Sequence, residues 1–512
     1  MTESRTETSA AHAATAPRLC ERTLERASTA LLRPGYRRSL TRIGTVHFGP
    51  GAFHRAHQAS YFDRLLEKDP TRAICAVSLK TASLRDALVS QDGLYTLVEL
   101  DEAPTLRAIG ALRELLVAAE SPAAVSGRLC HPDTSLITIT VTEKGYCLDG
   151  SGRLDPHHPD IAHDLRHPAT PRSLIGWLVR GLSLRRERRL PPCLIVSCDN
   201  LSDNGPTLRR AVLAFAERSD AALAAWIEAE ARFPRTMVDS ITPATDQALR
   251  ERVAQATGLE DAWPVQRERF VQWVVEEVDF TAQPDWASVG VTVSRDVTAY
   301  ERAKLRMLNG AHSSLAYLGL LAGLETVAEA MAQPVLRTFI ERLMAEDIEP
   351  TLTAPEPRAL AAYRRSVLQR FENPAMRHQL AQIAWDGSQK LPIRILGTIA
   401  DALRAGRPLR RLTVPMAAWM HFVRARTRDG VAIVDPLAAQ LTAIGRQMAG
   451  NSSDDLPLFF ALPGVIPPAL AQEAQFSRAL GEAYDLIAAR GVLAAVTAAA
   501  ESATGRPDRV SR

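Results

Sequence analysis

The sequence predicts an α/β domain built on a parallel-rich sheet, followed by a mostly α-helical domain. Two observations lead there. From about residue 42, short apolar segments rich in β-branched residues recur: Thr45 to Phe48 (TVHF), Ala73 to Leu79 (AICAVSL), Leu136 to Val141 (LITITV) and Leu194 to Ser197 (LIVS). Segments of helical composition separate them, such as Pro122 to Leu129 and Ser173 to Arg188, and this alternation implies βαβ units with helices on both faces of a sheet. The texture then changes. After about residue 295, Ala, Leu, Arg and Glu recur at helical spacing, as in Glu325 to Met344 and Ala469 to Ala499, with few strand candidates. The full 512 residues exceed what one hydrophobic core organises. The expected division is a flexible tail over 1–38, the α/β domain over 39–295 and the helical domain over 296–512, joined near Gln283 to Asp296.

Composition narrows the function classes. Apolar residues make up 46% and charged residues 23%, a globular balance. With 61 basic and 58 acidic residues the formal charge is only +3, which gives no electrostatic case for a nucleic-acid or membrane-surface partner. The run Arg180 to Arg189 (RGLSLRRERR) reads as a solvated helix end rather than a binding patch. No apolar run reaches the roughly 18 residues needed to span a bilayer, and the first residues, MTESRTETSAAHAATAPR, lack a signal-peptide core. Six cysteines are scattered without zinc-ligand spacing, which points to a reducing, cytoplasmic setting and to no metal.

Four stretches carry chemistry. In GTVHFGPGAFHRAHQASYFDRLL, a strand runs into Gly49-Pro50-Gly51 and then a helix-compatible segment. Glycines at such a turn let a backbone approach a dinucleotide pyrophosphate, yet the full G-x-G-x-x-G pattern is missing and a plain tight turn is equally open. His54 and His57 lack a third ligand, so structural hydrogen bonding is the better reading for them than metal binding. In SCDNLSDNG, directly after LIVS, Asn200 lies where a sheet-end ligand would sit. Its amide can donate to an oxygen gaining negative charge. The bland alternative is an Asx-type turn served by Asp199, Asp203 and Asn204. In KLRMLNGAHSSLAYLG, Lys304, His312 and Asn309 fall at about 0°, 80° and 140° on an α-helix. Spacing leaves open whether that polar arc is interface hydrogen bonding or an active site, although a desolvated lysine exchanges protons near neutral pH. In NPAMRHQLAQIAWDGSQKLPIR, Lys390 and Arg394 follow the Asp386-Gly387-Ser388 turn, a grouping suited to an anionic or polyhydroxylated ligand but also to ordinary surface cations.

Taken together, GPGAFHRAHQ (49–58), VTEKGY (141–146), SCDNLSDNG (197–205), MVDSITP (237–243), YERAKLRMLNGAHSSLAYLG (300–319) and DGSQKLP (386–392) closely resemble the long-chain polyol dehydrogenases, the mannitol dehydrogenase family. The similarity runs from about Gly35 to near residue 500. It implies an NAD(P)-dependent, zinc-independent oxidoreductase with an N-terminal Rossmann-type domain and a mostly helical C-terminal domain. By the resemblance, Lys304 is the general acid/base, Asn200 and Asn309 hold the substrate oxygen, and His312 orients it. Glu143 and Glu301 match acidic positions on a proton path, while Asp239 and Lys390 match substrate contacts. Gly49, Gly51, Ala52 and Phe53 would form the cofactor turn, and the site would lie in the cleft between the domains. Mannitol-oxidising members often carry an arginine eight residues before Lys390, where this chain has Gln382. The chain looks more like the fructuronate reductases of that family, which interconvert D-fructuronate and D-mannonate. Lys390, Arg394, Arg377 or His378 would then hold the carboxylate. Mannitol 2-dehydrogenase is the alternative. After the second strand no acid precedes Asp86, so NADP stays open, with Lys80 facing a 2′-phosphate, and NAD is favoured from the uronate-pathway resemblance. The partner expected is a sugar acid or polyol; monomer and homo-oligomer are not distinguished.

Overall fold

The computed structural model describes residues 16–354 and 358–501. The chain divides into two compact units at Arg295/Asp296.

The N-terminal unit is of Rossmann type. Its central sheet contains β1 (Ile43–Phe48), β2 (Ala73–Ser78), β3 (Leu112–Val117), β4 (Leu136–Ile139) and β5 (Leu194–Ser197). They lie in the spatial order β3-β2-β1-β4-β5, and all four neighbouring pairs are parallel. Strand residues alternate between the two faces, as a pleated chain must. Val46, Phe48, Val77, Ile137 and Ile139 pack with Trp177 and Leu178 on one side, while Ile74, Ala76, Leu136 and Val196 pack with Phe62 and Trp273 on the other. The reversal of strand order beside β1 opens a crevice at the carboxyl ends of β1 and β4, where open sheets of this kind bind ligands. Two smaller sheets join this unit. One holds Leu31–Leu32, Thr105–Ile109, Tyr95–Leu100 and Val265–Glu268; the other holds Thr292–Ser294, Gln272–Glu276 and Thr236–Asp239.

Residues 16–38 depart from the expected flexible tail. Leu19 and Leu31 are buried, and Leu31–Leu32 pair in parallel with Leu106 and Arg107. Arg38 is buried as well; its guanidinium donates to the carbonyls of Gly110 (2.9 Å), Leu112 (2.9 Å) and Asp92 (2.6 Å). Apolar residues and a carbonyl-satisfied arginine outweigh the segment's polar composition. Residues 1–15 of the expected tail lie outside the described residues.

The C-terminal unit is helical, and no named strand among its described residues follows Thr292–Ser294. Its core surrounds Gly310–Leu321 and Arg410–Arg428, with Met307, Leu315, Leu318, Met416 and Trp419 among the deepest side chains. The expected helix over 325–344 is broken at Gln333-Pro334, and the one over 469–499 at Gln472-Glu473 and again at Gly491, whose φ of 81° an L-residue avoids. No helix among the described residues is long and apolar enough to cross a membrane.

Candidate active site

In the N-terminal unit, three loops gather beyond the sheet. β1 ends at Gly49, whose φ of 85° belongs to the left-handed region. A Cβ there would lie 2.2 Å from the Thr140 carbonyl, so only glycine permits this approach to the loop after β4. Gly51, Ala52 and Phe53 then open a short helix, Ala52–Ala56, which breaks at His57 before Gln58–Leu65. The helix-compatible segment is therefore two helices. An exposed, glycine-shaped backbone at the carboxyl end of β1 suits a dinucleotide pyrophosphate. His57 Nε2 bonds the Gln272 carbonyl at 2.9 Å, whereas His54 is held by stacking on His47, centroids 3.3 Å apart, and not by the expected hydrogen bonding, since neither of its ring nitrogens has a partner among the described residues; both histidines are buried. No cluster of three or more metal-ligating side chains lies among the described residues.

The loop after β5 is held by two side chains that sequence reasoning read as turn formers. Asp199 accepts from the Thr142 amide (2.8 Å), the Val141 amide (3.2 Å) and the Tyr146 hydroxyl (2.7 Å), tying this loop to VTEKGY. Burial pushes its carboxyl up from the ordinary range. Asn204 is 2% exposed; its amide nitrogen donates to the Asp199 carbonyl (3.1 Å) and the Thr236 carbonyl (3.0 Å), and its oxygen accepts from the Thr236 and Gly205 amides. Asp203 instead pairs with Arg235 at 2.7 Å. None of the three builds the expected Asx turn. They bind one strand end to the next. Gly205 completes the latch, since a Cβ there would lie 2.4 Å from the carbonyls of Phe233 and Pro234. Glu143 and Asn200, both exposed, thus sit on loops fastened to each other, and Asp239, buried, ends the strand that Asn204 grips.

Lys80 follows β2 and is exposed. It reaches Asp160 at 3.3 Å across the rim of a cavity of about 460 Å³ that Ala118, His163 and Arg172 also line. The Arg180–Arg189 run ends in the exposed Arg188 and Arg189. Arg185 is buried and donates to the carbonyls of Pro191 (2.6 Å) and Leu129 (3.0 Å), and Arg186 pairs with Asp220.

In the C-terminal unit, the helix carrying Lys304, Asn309 and His312 is not uniformly α. Val297–Ala303 and Gly310–Leu321 are α-helical, but Lys304–Asn309 between them is a π turn, with the Gly310 N–H bonded to the Leu305 carbonyl. This revises the arc derived from α-helical spacing. A π turn stacks residue i over i+5 as an α turn stacks i over i+4. Lys304 and Asn309 are five apart, so the wider turn aligns two groups that an α-helix would set about 140° apart. His312 follows Asn309 by three α-helical positions and shares that side. Glu301 lies one turn before the lysine and is half-buried.

Around His312 the structure assembles further candidates. Its ring meets His378 edge-on at 4.6 Å and stacks on Phe371 at 5.1 Å. Burial, aided by nearby His378, Arg394, Arg370 and Lys390, holds its pKa well below the usual value, so the ring is neutral at pH 7. Nε2 of His312 is buried with no hydrogen-bond partner among the described residues. Burial and the neighbouring Arg394 also lower the Lys390 ammonium. Arg394 Nη1 donates to Ser313 Oγ at 3.0 Å and lies in a second π turn, Pro392–Leu396. DGSQKLP has a packing reason too: Asp386 is left-handed, and a Cβ on Gly387 would lie 2.5 Å from the Tyr317 hydroxyl. Arg377, also left-handed, is exposed. Sequence reasoning missed Arg370 and Phe371, because an arginine-phenylalanine pair in an arginine-rich helix carries no distinguishing spacing.

Residues 43–288 match the family model described as the mannitol dehydrogenase Rossmann domain, and residues 296–485 match the mannitol dehydrogenase C-terminal domain. The chain is 40% identical over 475 residues to a D-mannonate oxidoreductase of Escherichia coli K12, covering 91% of this chain and 97% of that protein. It is 37% identical to a mannitol 2-dehydrogenase of Aspergillus fumigatus, covering 90% and 94% respectively. Among solved structures, the Pseudomonas fluorescens mannitol 2-dehydrogenase in complex with NAD and D-mannitol aligns with a TM-score of 0.80 at 35% identity, over 94% of this chain and 99% of that one.

Proposed function

The chain belongs to the mannitol dehydrogenase family of oxidoreductases, and from that premise we propose that it reduces a keto sugar acid, D-fructuronate, to D-mannonate, reversibly and with a nicotinamide dinucleotide. The observation that carries this reading is the half-buried pair Lys390 and Arg394, set with His378 around a neutral His312. A polyol offers no charge to match such a cluster, whereas a uronate carboxylate does. The D-mannonate oxidoreductase of E. coli supports the same substrate class.

A nicotinamide dinucleotide, when bound, would supply or accept the hydride. Its turn would be Gly49, Gly51, Ala52 and Phe53, at the carboxyl end of β1, with Gly51 exposed. Lys304 delivers the proton to the substrate oxygen as the carbonyl is reduced, and removes it in the reverse direction. The amides of Asn309 and Asn200 donate to that oxygen while its charge develops. His312, neutral, has an N–H to direct at it without competing for the proton. Glu143 and Glu301 pass the proton between lysine and solvent, and Asp239 contacts substrate hydroxyls. NAD is favoured over NADP by the resemblance to the uronate-pathway reductases, with the exposed Lys80, 3.3 Å from Asp160, as the residue a 2′-phosphate would meet. The alternative, a mannitol 2-dehydrogenase, is favoured by the A. fumigatus and P. fluorescens relatives.

One panel tests the reading. NADH and NADPH oxidation are followed with fructuronate, tagaturonate, fructose and xylulose. Fructuronate with NADH should give the highest kcat/KM, and Arg394→Met should lower it for fructuronate by roughly 30-fold or more, the loss of about 2 kcal/mol expected for a charge-assisted contact. Fructose turnover above fructuronate turnover moves the chain to the polyol reading.

A further inference from the structure

Of the three π turns among the described residues of the C-terminal unit, Lys304–Asn309, Leu343–Ile348 and Pro392–Leu396, the first and the last pack against each other. Of this pair, the first carries the proposed acid/base and one amide; the second, Pro392–Leu396, carries Arg394. Close approach is built into the contact, since a Cβ on Gly310 would lie 3.0 Å from the Arg394 carbonyl. Each π turn of the pair also sends a cation into the helix that follows the other. Arg306, inside the first turn, pairs with Asp401 at 2.6 Å on the helix Gly397–Arg404, with side chains only 14% and 25% exposed. Arg394, inside the second, donates to Ser313 on the helix Gly310–Leu321. Arg306 Nη1 further donates to Thr351 Oγ1 at 3.2 Å.

A π turn is rare because ordinary α-helical bonding is normally preferred, so it persists where the surroundings hold it. If the first turn relaxed to α, Lys304 and Asn309 would part by more than a third of a circle. We propose that Arg306–Asp401 and Arg394–Ser313 form a reciprocal latch that holds both π turns in register, with Arg306 and Asp401 as positioning residues for Lys304 and Asn309. The inference rests on the reading of Lys304 as acid/base. Neither Arg306 nor Asp401 touches the reacting oxygen in this scheme; both act through the helix they fix.

The test uses the full chain and whichever substrate of the panel is turned over. Arg306→Gln and Asp401→Asn should each lower kcat 10- to 100-fold, while the KM for the keto substrate and the Kd for the dinucleotide stay within about threefold. The charge-swapped double variant Arg306→Asp/Asp401→Arg should recover at least a tenth of wild-type kcat. Ser313→Ala removes the second strut with little risk to folding, and should lower kcat fivefold or more at unchanged Tm. Lys304→Ala serves as the control that separates the two ideas. If it retains turnover, the acid/base reading fails; if it loses turnover while Arg306→Gln and Ser313→Ala keep wild-type kcat, the latch fails. A fall in Tm with wild-type kcat per folded molecule also overturns it, because that is the behaviour of a purely structural ion pair. Should Arg306→Gln not fold, Ser313→Ala alone decides: an unchanged kcat rejects the latch.

Discussion

Replacing Asn204 by alanine isolates what the SCDNLSDNG loop owes to a single side chain. The native amide is 2% exposed and serves five polar groups: it donates to the Asp199 carbonyl, the Thr236 carbonyl and Thr236 Oγ1, and accepts from the Gly205 and Thr236 amides. The Thr236 hydroxyl keeps its bond to the Ser197 carbonyl after the change. The Thr236 N–H and carbonyl, the Gly205 N–H and the Asp199 carbonyl lose the partner described for them, and each buried orphan costs about 1–3 kcal/mol. Even at the low end of that range, the N-terminal unit should lose about 4 kcal/mol or more. Because the chain has two units, a single global transition is the wrong readout. Hydrogen exchange of the amides in Leu194–Ser197 and Thr236–Asp239, read alongside urea unfolding, reports the affected unit directly. Those amides should lose protection by two to three orders of magnitude, while Gly310–Leu321 in the other unit keeps its own. A loss below about 1 kcal/mol would show that water replaces the amide and that the latch is dispensable.

Two further outcomes follow from the same chemistry. His47, wholly buried between Thr138 and Thr140, has its pKa lowered to about 3, chiefly by burial. Its unfolded value is about 6.5, so below that pH the unfolded chain takes up a proton that the native state refuses, and this contribution to stability falls as pH falls. Between pH 8 and 5 the wild type should therefore lose about 2 kcal/mol more than His47→Gln, measured by urea unfolding at each pH. Parallel curves would reject the buried neutral ring. The other buried histidines with lowered pKa act in the same sense, and Asp63, raised to about 6, acts oppositely in both proteins; His54, stacked on His47 and lowered in part by it, changes with the substitution, so the difference reports the His47–His54 pair. Lys304→Ala should reduce kcat by about 10²–10⁴-fold with dinucleotide affinity retained, by titration of cofactor fluorescence. Undiminished turnover removes the lysine from the mechanism.

Much of the fold was readable because its signals are local. TVHF, AICAVSL, LITITV and LIVS correspond to four of the five central strands, since buried parallel strands are short apolar runs. β3 was missed for a physical reason. LRELLV carries Arg113 and Glu114, at positions only partly buried, and that mixed pattern reads as helix or loop. The strands of the two smaller sheets, even wholly buried ones such as Val265–Glu268 (VQRE) and Thr236–Asp239 (TMVD), mix polar with apolar residues and gave no continuous apolar run either. The tail was misjudged because Leu19, Leu31 and Arg38 are isolated anchors in polar surroundings, and isolated anchors leave no periodicity.

The site shows the same division between composition and geometry. Lys304, Asn309 and His312 were legible as polar residues on an apolar helix, yet their relative directions were not, because no α-helical wheel contains a π turn. The departure bears on function. Two groups that must act on one oxygen are easier to align five residues apart on a π turn than on an α turn, and the cost of the rarer geometry falls on residues outside the reacting set. Arg306 and Asp401 carry that cost in the first turn, as Gly310 does by admitting the second turn so closely. A sequence motif such as KLRMLNGAHSSLAYLG therefore records two layers at once. Lys304, Asn309 and His312 meet the substrate in the proposed scheme, and Arg306, Gly310 and Ser313 keep the helix wound so that they can. Only the first layer announces itself by chemistry; the second required the coordinates of Arg394 and Asp401, more than eighty residues away in the chain.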